Sequence, residues 1–61
     1  MLIRNIILMY DGEQHTYKIE EKTDSKAILK AIHKLEEELH KVRGGLVRYF
    51  KENQNDISLR V

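Results

Sequence analysis

The fold is decided by residues 2–21, which read LIRNIILMYDGEQHTYKIEE. The stretch Leu2–Tyr10 is rich in Ile, Leu, Met and Tyr, which favours a β-strand. One face of this strand would carry Leu2, Ile6, Leu8 and Tyr10 around Arg4, and the other would carry Ile3, Ile7 and Met9 around Asn5. A strand with one face in water should alternate cleanly between apolar and polar residues. The pattern therefore predicts a strand that is covered on both sides.

A hairpin turn and a second strand follow directly. Asp11-Gly12 is a strong turn signal, because glycine adopts a positive φ without a Cβ clash. We expect Glu13 and Gln14 to lengthen the loop. Residues 15–21 then alternate between apolar and polar side chains, which is typical of a half-buried strand.

A long amphipathic helix is predicted after the hairpin. Thr23-Asp24-Ser25 offers three residues that cap helix N-termini well. Apolar side chains then recur at spacings of four and three, at Ile28, Ile32, Leu35, Leu39 and Val42. Gly44-Gly45 would end the helix, since glycine is the usual residue just past a helix C-terminus.

Two interpretations remain open beyond the glycines. Residues 46–52 form either a second helix or a bent continuation of the first, or else residues 46–50 form a strand that turns at 53–56. The helix is favoured because the four-three spacing continues through Leu46 and Tyr49. Residues 57–61 alternate as a short strand in both cases. The predicted fold is thus one small α+β domain over residues 1–61, of order ββα(α)β with ββαββ as the alternative.

The composition limits the classes of function. The 61 residues include no cysteine, so disulfides cannot stabilise the chain. Its 11 basic and 10 acidic side chains are mixed along the sequence and give a formal net charge of +1. Such a balance produces no strong field toward phosphates or anionic lipids. No apolar run is long enough to span a membrane or act as a signal, and a cytoplasmic location is predicted.

The sequence predicts no enzyme, no cofactor and no metal site. No nucleophile motif surrounds Ser25 or Ser58, and the glycines lack the spacing of a phosphate-binding loop. His33 and His40 lie about 10 Å apart along a helix, so one ion cannot bridge them. Pairs of histidine and glutamate on that helix are expected to be solvated.

The excess of apolar surface predicts a homo-oligomer, most simply a dimer with twofold symmetry. One helix can cover one face of a small sheet, which leaves the other face of the first strand exposed. The predicted self-association interface consists of Ile3, Ile6, Ile7, Leu8, Met9, Leu39, Leu46 and Tyr49.

The predicted function is a non-enzymatic protein–protein interaction module. It would serve as a regulatory or accessory subunit, or as a small inhibitor of the kind that bacteriophages encode against host proteins. The charged flank of the helix, formed by Glu36, Glu37, Glu38 and Lys41, is the predicted contact surface for the partner protein.

Nucleic-acid binding is the alternative function. The last third of the chain combines basic and aromatic residues, as single-strand binding platforms do. The residues that would make the contacts are Lys41, Arg43, Arg48, Tyr49 and Lys51.

Overall fold

The computed structural model describes residues 2–60, so Met1 and Val61 lie outside the described residues. The elements are β1 (Leu2–Tyr10), β2 (Glu13–Glu21), α1 (Asp24–Glu38), α2 (Val47–Glu52), a 3₁₀ turn (Gln54–Asp56) and β3 (Ile57–Arg60). This order confirms the α+β class and the ββα(α)β arrangement. The segment after the glycines is a helix, as the continued four-three spacing predicted.

The three strands form an antiparallel sheet in the order β2-β1-β3. The central strand β1 pairs with β2 along its whole length and with β3 over residues 5–8. Because successive side chains point to opposite faces of a strand, Arg4, Ile6 and Leu8 face α1 and are buried. The opposite side of the sheet is called the open face below. In β1 it is formed by Ile3, Asn5, Ile7 and Met9.

The hairpin turn is tighter than the sequence suggested. Tyr10 pairs directly with Glu13, which leaves a loop of two residues, Asp11 and Gly12. Both have positive φ, 52° and 77°, which is the type I′ geometry that matches the twist of paired strands. The prediction that Glu13 and Gln14 belong to the loop is therefore wrong, and both lie in β2.

One hydrophobic core lies between the sheet and the helices. Helix α1 packs chiefly over β2 and β1, and Phe50 brings α2 into the same core. Fully buried apolar side chains make the largest favourable contribution to folding, about 1.5–3 kcal/mol each for the larger ones. The core residues are Ile6, Leu8, Ile19, Ala27, Ala31, Ile32, Leu35, Leu46 and Phe50.

Helix α1 begins where the capping residues predicted and ends earlier than the glycines predicted. At its start, the Thr23 side chain accepts a hydrogen bond from the Lys26 N–H at 3.3 Å. At its end, the Lys41 N–H donates to the Glu36 carbonyl at 2.8 Å and the His40 N–H donates to the Glu37 carbonyl at 3.2 Å. This pair of bonds is a Schellman motif.

The residue in the left-handed conformation of that motif is His40, with φ of 56°. Sequence rules look for glycine at this position, and the nearest glycine is four residues further on. The prediction that the apolar stripe continues to Val42 is therefore wrong. Val42 lies in the loop after the helix with 83% of its surface exposed.

His40→Gly should stabilise the protein by about 1 kcal/mol, because a left-handed conformation costs a residue with a Cβ about 1–2 kcal/mol that glycine avoids. Urea unfolding followed by circular dichroism measures the change. Lys41→Gly is the control, since Lys41 has no positive φ and glycine there should be neutral or destabilising. Equal effects of the two changes would contradict the assigned helix end.

Candidate functional site

The open face of the sheet exposes apolar side chains along its central strand. Ile3 is 49% exposed and Met9 is 37% exposed, and Ile7 between them is half-buried. Asn5 separates Ile3 from Ile7 in this row, whereas Ile7 and Met9 are neighbours on the face. Groups of exposed apolar side chains of this kind often mark sites of interaction. This row is the strongest candidate for a contact surface on the protein.

Polar residues border the apolar row on both sides. Ile7 lies between Thr16 of β2 and Ser58 of β3, and Asn5 lies between Lys18 and Arg60 in the same way. Hydroxyl and charged groups at the margins resemble the polar rim that surrounds the apolar centre of protein interfaces.

The residues predicted for self-association fall into two groups. Ile6, Leu8 and Leu46 have at most 3% of their surface exposed, because they belong to the core of the single chain. A partner cannot reach them without opening the domain. Ile3, Ile7 and Met9 share the open face, whereas Leu39 and Tyr49 are half-buried on the helical side. The surface available for association is thus narrower than predicted.

The structure overturns the expectation that Glu36 is a solvated partner contact. Glu36 is 1% exposed, and its carboxylate accepts hydrogen bonds from the backbone N–H groups of Gly44 and Leu46, each at 2.8 Å. His33 Nδ1 donates a third bond at 2.8 Å, since an ionised carboxylate can only accept. The neighbouring Glu37 and Glu38 are exposed, as predicted for contact residues, and Lys41 is exposed as well.

These bonds keep Glu36 ionised in a buried position. Burial alone would raise the pKa of the Glu36 carboxyl, because it disfavours the charged form. The hydrogen bonds from His33, Gly44 and Leu46 outweigh this effect, and the pKa of Glu36 lies below its ordinary value of 4.5. Glu36 therefore acts as a clamp that holds the 39–46 loop and the start of α2 against the end of α1.

A second buried charge acts at the opposite end of α1. Arg4 is 6% exposed, and its Nε donates to the Asp24 carboxylate at 2.6 Å. Its other nitrogens donate to the carbonyls of Glu21 and Lys22. Arg4 therefore ties the connection between β2 and α1 to the central strand. The arginine that interrupts the apolar pattern of β1 has this structural role.

An apolar groove of about 670 Å³ lies above β3 on the helical side of the sheet. Helix α1 leaves this part of the sheet partly uncovered, and α2 forms the other wall. The apolar side chains that line the groove include Ile28, Leu29, Val47, Phe50, Ile57 and Leu59. Of the described residues in the lining, only Lys51 is charged.

The residues predicted to bind nucleic acid do not form an open platform. The Tyr49 ring packs edge-to-face against Tyr10 and Phe50, with 5.0 Å between centroids in each pair, and its hydroxyl donates to Asp56. Because the ring is half-buried by these contacts, less of its surface is available for stacking on a base. Lys41 lies over the Tyr10 ring at 5.9 Å.

The other basic residues of that prediction lie on α2 and in the loop before it. Arg48 pairs with Glu52 at 3.2 Å one turn along α2, and Lys51 borders the groove. Arg43 lies in the loop between the helices and is exposed. Within residues 2–60, no group of three histidine or acidic side chains could hold a metal ion.

Comparison of the chain with protein-family models, with curated proteins and with solved structures finds no match. In the part of the chain that the structure describes, no helix has the length and apolar character needed to cross a membrane.

Sequence reasoning missed two features of the site. The burial of Glu36 is hard to predict from local sequence. Its two backbone hydrogen-bond donors, Gly44 and Leu46, lie eight and ten residues further along the chain. The groove was missed because it depends on where α1 lies relative to β3. The one available hint for Glu36 was its position, three residues after His33 and one residue after the buried Leu35.

Glu36→Gln should lower the free energy of unfolding by about 2 kcal/mol at pH 7, because hydrogen bonds to a buried charged acceptor contribute about 1.5–3 kcal/mol.

The wild-type protein should also lose stability as the pH falls below 4.5. The pKa of Glu36 is lower in the folded chain, so the unfolded chain binds more protons there, and the stabilisation is complete only above that pH.

Urea unfolding at pH 7 and at a series of acid pH values measures both effects. In the Glu36→Gln variant, the free energy of unfolding should fall less steeply at acid pH than in the wild type. The remaining fall comes from other carboxyl groups such as Glu21, whose pKa is lowered by its hydrogen bond with Lys30. Glu37→Gln is the matched control, because Glu37 is exposed and its loss should change stability by less than about 0.5 kcal/mol. Similar curves for the two variants would refute the clamp.

Proposed function

We propose that this protein is a non-enzymatic interaction module that works as a homodimer and binds another protein through the open face of its sheet. It acts as a regulatory or accessory subunit, or as a small inhibitor of the kind that bacteriophages encode against host proteins. The observation that carries the proposal is the apolar row of Ile3, Ile7 and Met9 on a sheet that has a helix on one side only.

Burial of this row would be energetically significant for a chain of this size. Large apolar side chains contribute about 1.5–3 kcal/mol each when they move from full exposure to full burial. The row is already partly covered, so contact would add about half of that amount per residue. Three residues then supply several kcal/mol, which is comparable to the stability of a small domain. The surface is therefore suited to a protein partner.

The ionisable groups support a binding role over a catalytic one. The buried charges of Arg4 and Glu36 are used in structural hydrogen bonds. Burial raises the pKa of the Tyr17 phenol well above its ordinary value, and the nearby Glu38 carboxylate adds to the shift. Tyr17 thus stays protonated near neutral pH and is a poor general base. General acid–base catalysis needs ionisable groups that share a cleft and whose pKa values suit proton transfer. The roles of Arg4, Glu36 and Tyr17 fit a binding protein better than such an enzyme.

Ile7→Lys should abolish capture of the partner by the immobilised protein from a lysate of the source cell, because it places a charge in the centre of the apolar row. Thr16→Lys is the matched control, since Thr16 lies beside Ile7 at the exposed margin of the same face. The control should capture the same protein as the wild type. Equal capture by both variants would contradict the proposed surface, provided that both are folded by circular dichroism.

The lysate experiment also distinguishes protein binding from the alternative function, which is nucleic-acid binding. If nucleic acid is recovered with the protein, and if retention on heparin is strong and falls steeply with salt, binding to phosphates is the better explanation. The contacts that cover part of the Tyr49 ring argue against that outcome.

The wild-type protein should sediment at twice its chain mass of 7.3 kDa at micromolar concentration, because one copy leaves apolar surface on both the open face and the groove. Sedimentation equilibrium over a range of concentrations measures the mass and the dissociation constant. A single 7.3 kDa species throughout that range would remove the homodimer from the proposal.

A further inference from the structure

The two edges of the sheet differ in how they are protected from pairing with another strand. Exposed edge strands usually carry charged residues that discourage pairing. The β2 edge follows this rule, with Glu13, Lys18, Glu20 and Glu21 along its length. The β3 edge carries Ile57, Ser58 and Leu59 before its one charged residue, Arg60. Within residues 2–60, only β1 pairs with β3.

The apolar groove lies next to the β3 edge, whose main protection is its length of only four residues. Helix α1 packs over β2 and β1, so the side chains of Ile57 and Leu59 on the same side of the sheet are only half-buried. Leu29 at the wall of the groove is 43% exposed. The β3 edge therefore offers unpaired backbone groups and an apolar surface at the same place.

We propose that a second copy of this chain pairs along β3, antiparallel to it, about a twofold axis that passes beside Ser58. The two sheets then join into one sheet of six strands, with the helices of both copies on the same side. This inference rests on the homodimer of the proposed function and names its interface. The open face remains available on each copy for the other protein.

The sequence of β3 is compatible with this register. Ser58 lies opposite Ser58 of the second copy, so two small hydroxyl side chains meet at the axis. Ile57 lies opposite Leu59 of the second copy, and this apolar pair occurs twice because of the symmetry. Cross-strand apolar pairs of this kind stabilise sheets.

The charges next to β3 also match in this register. Arg60 of each copy comes beside Asp56 of the other copy, so opposite charges meet at both ends of the pair. Within each copy the Asp56 carboxylate also accepts a hydrogen bond from the Tyr49 hydroxyl at 3.1 Å, and Asp56 remains partly exposed. Opposite charges across strands are favourable, and like charges directly opposite are unfavourable.

The twofold axis also brings α2 of the second copy toward the groove. Helix α2 precedes β3 in the chain and lies near the beginning of that strand, whereas the groove extends along it past Leu59 to Ser25 at the start of α1. The axis exchanges the two ends of β3. Helix α2 of the second copy therefore approaches the far end of the groove. The alkyl chain of Lys51 can cover apolar surface there while its ammonium group reaches water.

Ser58→Cys tests the register directly, because the chain has no other cysteine. Residues directly opposite each other in an antiparallel pair have Cα atoms about 4.5–5.5 Å apart, which is within the range of disulfides, about 4.4–6.8 Å. Mild oxidation should therefore convert most of the protein to a covalent dimer. Thr16→Cys is the matched control, since Thr16 lies in the same row on the opposite edge strand and is also exposed. It should cross-link far more slowly.

Arg60→Glu tests the charge match without a new covalent bond. It should raise the dissociation constant of the dimer at least about fivefold, because two favourable pairs become two repulsive ones. Lys18→Glu is the matched control, because it changes the net charge by the same amount and Lys18 pairs with Asn5 from β2 as Arg60 does from β3. It should change the dissociation constant by less than about twofold. Sedimentation equilibrium measures both constants.

These experiments distinguish a failure of the β3 interface from a failure of the homodimer. Rapid cross-linking through position 58, together with weaker association of Arg60→Glu, supports pairing along β3. A wild-type dimer that cross-links equally through positions 16 and 58, or that is unaffected by Arg60→Glu, overturns this interface and leaves the proposed function intact. A dimer that dissociates on Ile7→Lys would place the second copy on the open face. A wild-type monomer overturns both the interface and the homodimer.

Discussion

The Glu36 carboxylate accepts three hydrogen bonds in a position that water barely reaches. A buried charge without partners would cost several kcal/mol, so its two backbone donors must stay where they are while the protein is folded. Those donors belong to Gly44 and Leu46, at the point where the chain enters α2. The position of α2 thus depends on a side chain in the last turn of α1. The second wall of the groove depends on the same bonds.

Arg4 provides a similar constraint at the other end of α1. Its guanidinium joins the central strand to the carbonyls of Glu21 and Lys22 and to the carboxylate of Asp24. The two buried charges hold the two ends of the helix, and the apolar side chains between them supply most of the stabilisation. A chain with so small a core gains from such bonds because they select one orientation of the helix over others that bury similar apolar area.

This orientation explains which surfaces remain for binding. A helix held over β2 and β1 covers β3 only in part, and it lies on one side of the sheet only. The apolar row of the open face and the groove beside β3 are therefore consequences of the same packing. The two surfaces differ in chemistry. The open face has a polar rim around its apolar row, whereas the groove adjoins an unpaired strand edge. We propose the first as the contact for a different protein and the second as the contact for a second copy of the chain.

Local sequence patterns predict the type and order of the helices and strands of this protein. Alternation in the hairpin, the Asp11-Gly12 turn, the cap at Thr23 and the four-three spacing are local signals, because each depends on residues within a few positions of one another. The spacing through Leu46 and Tyr49 also identified α2 as a helix. The excess of apolar residues on β1 is also visible in the sequence, and it predicts an interface that includes Ile3, Ile7 and Met9.

Which of those apolar residues are exposed, and where α1 ends, depends on how the helices pack on the sheet. Ile6, Leu8 and Leu46 became core because α1 and α2 cover their side of the sheet. The helix ends through His40 instead of a glycine, and Glu36 is buried instead of solvated, because donors eight and ten residues away bind its carboxylate. The groove beside β3 likewise exists only when α1, α2 and β3 are assembled. These features depend on contacts between distant parts of the chain, which no local pattern encodes.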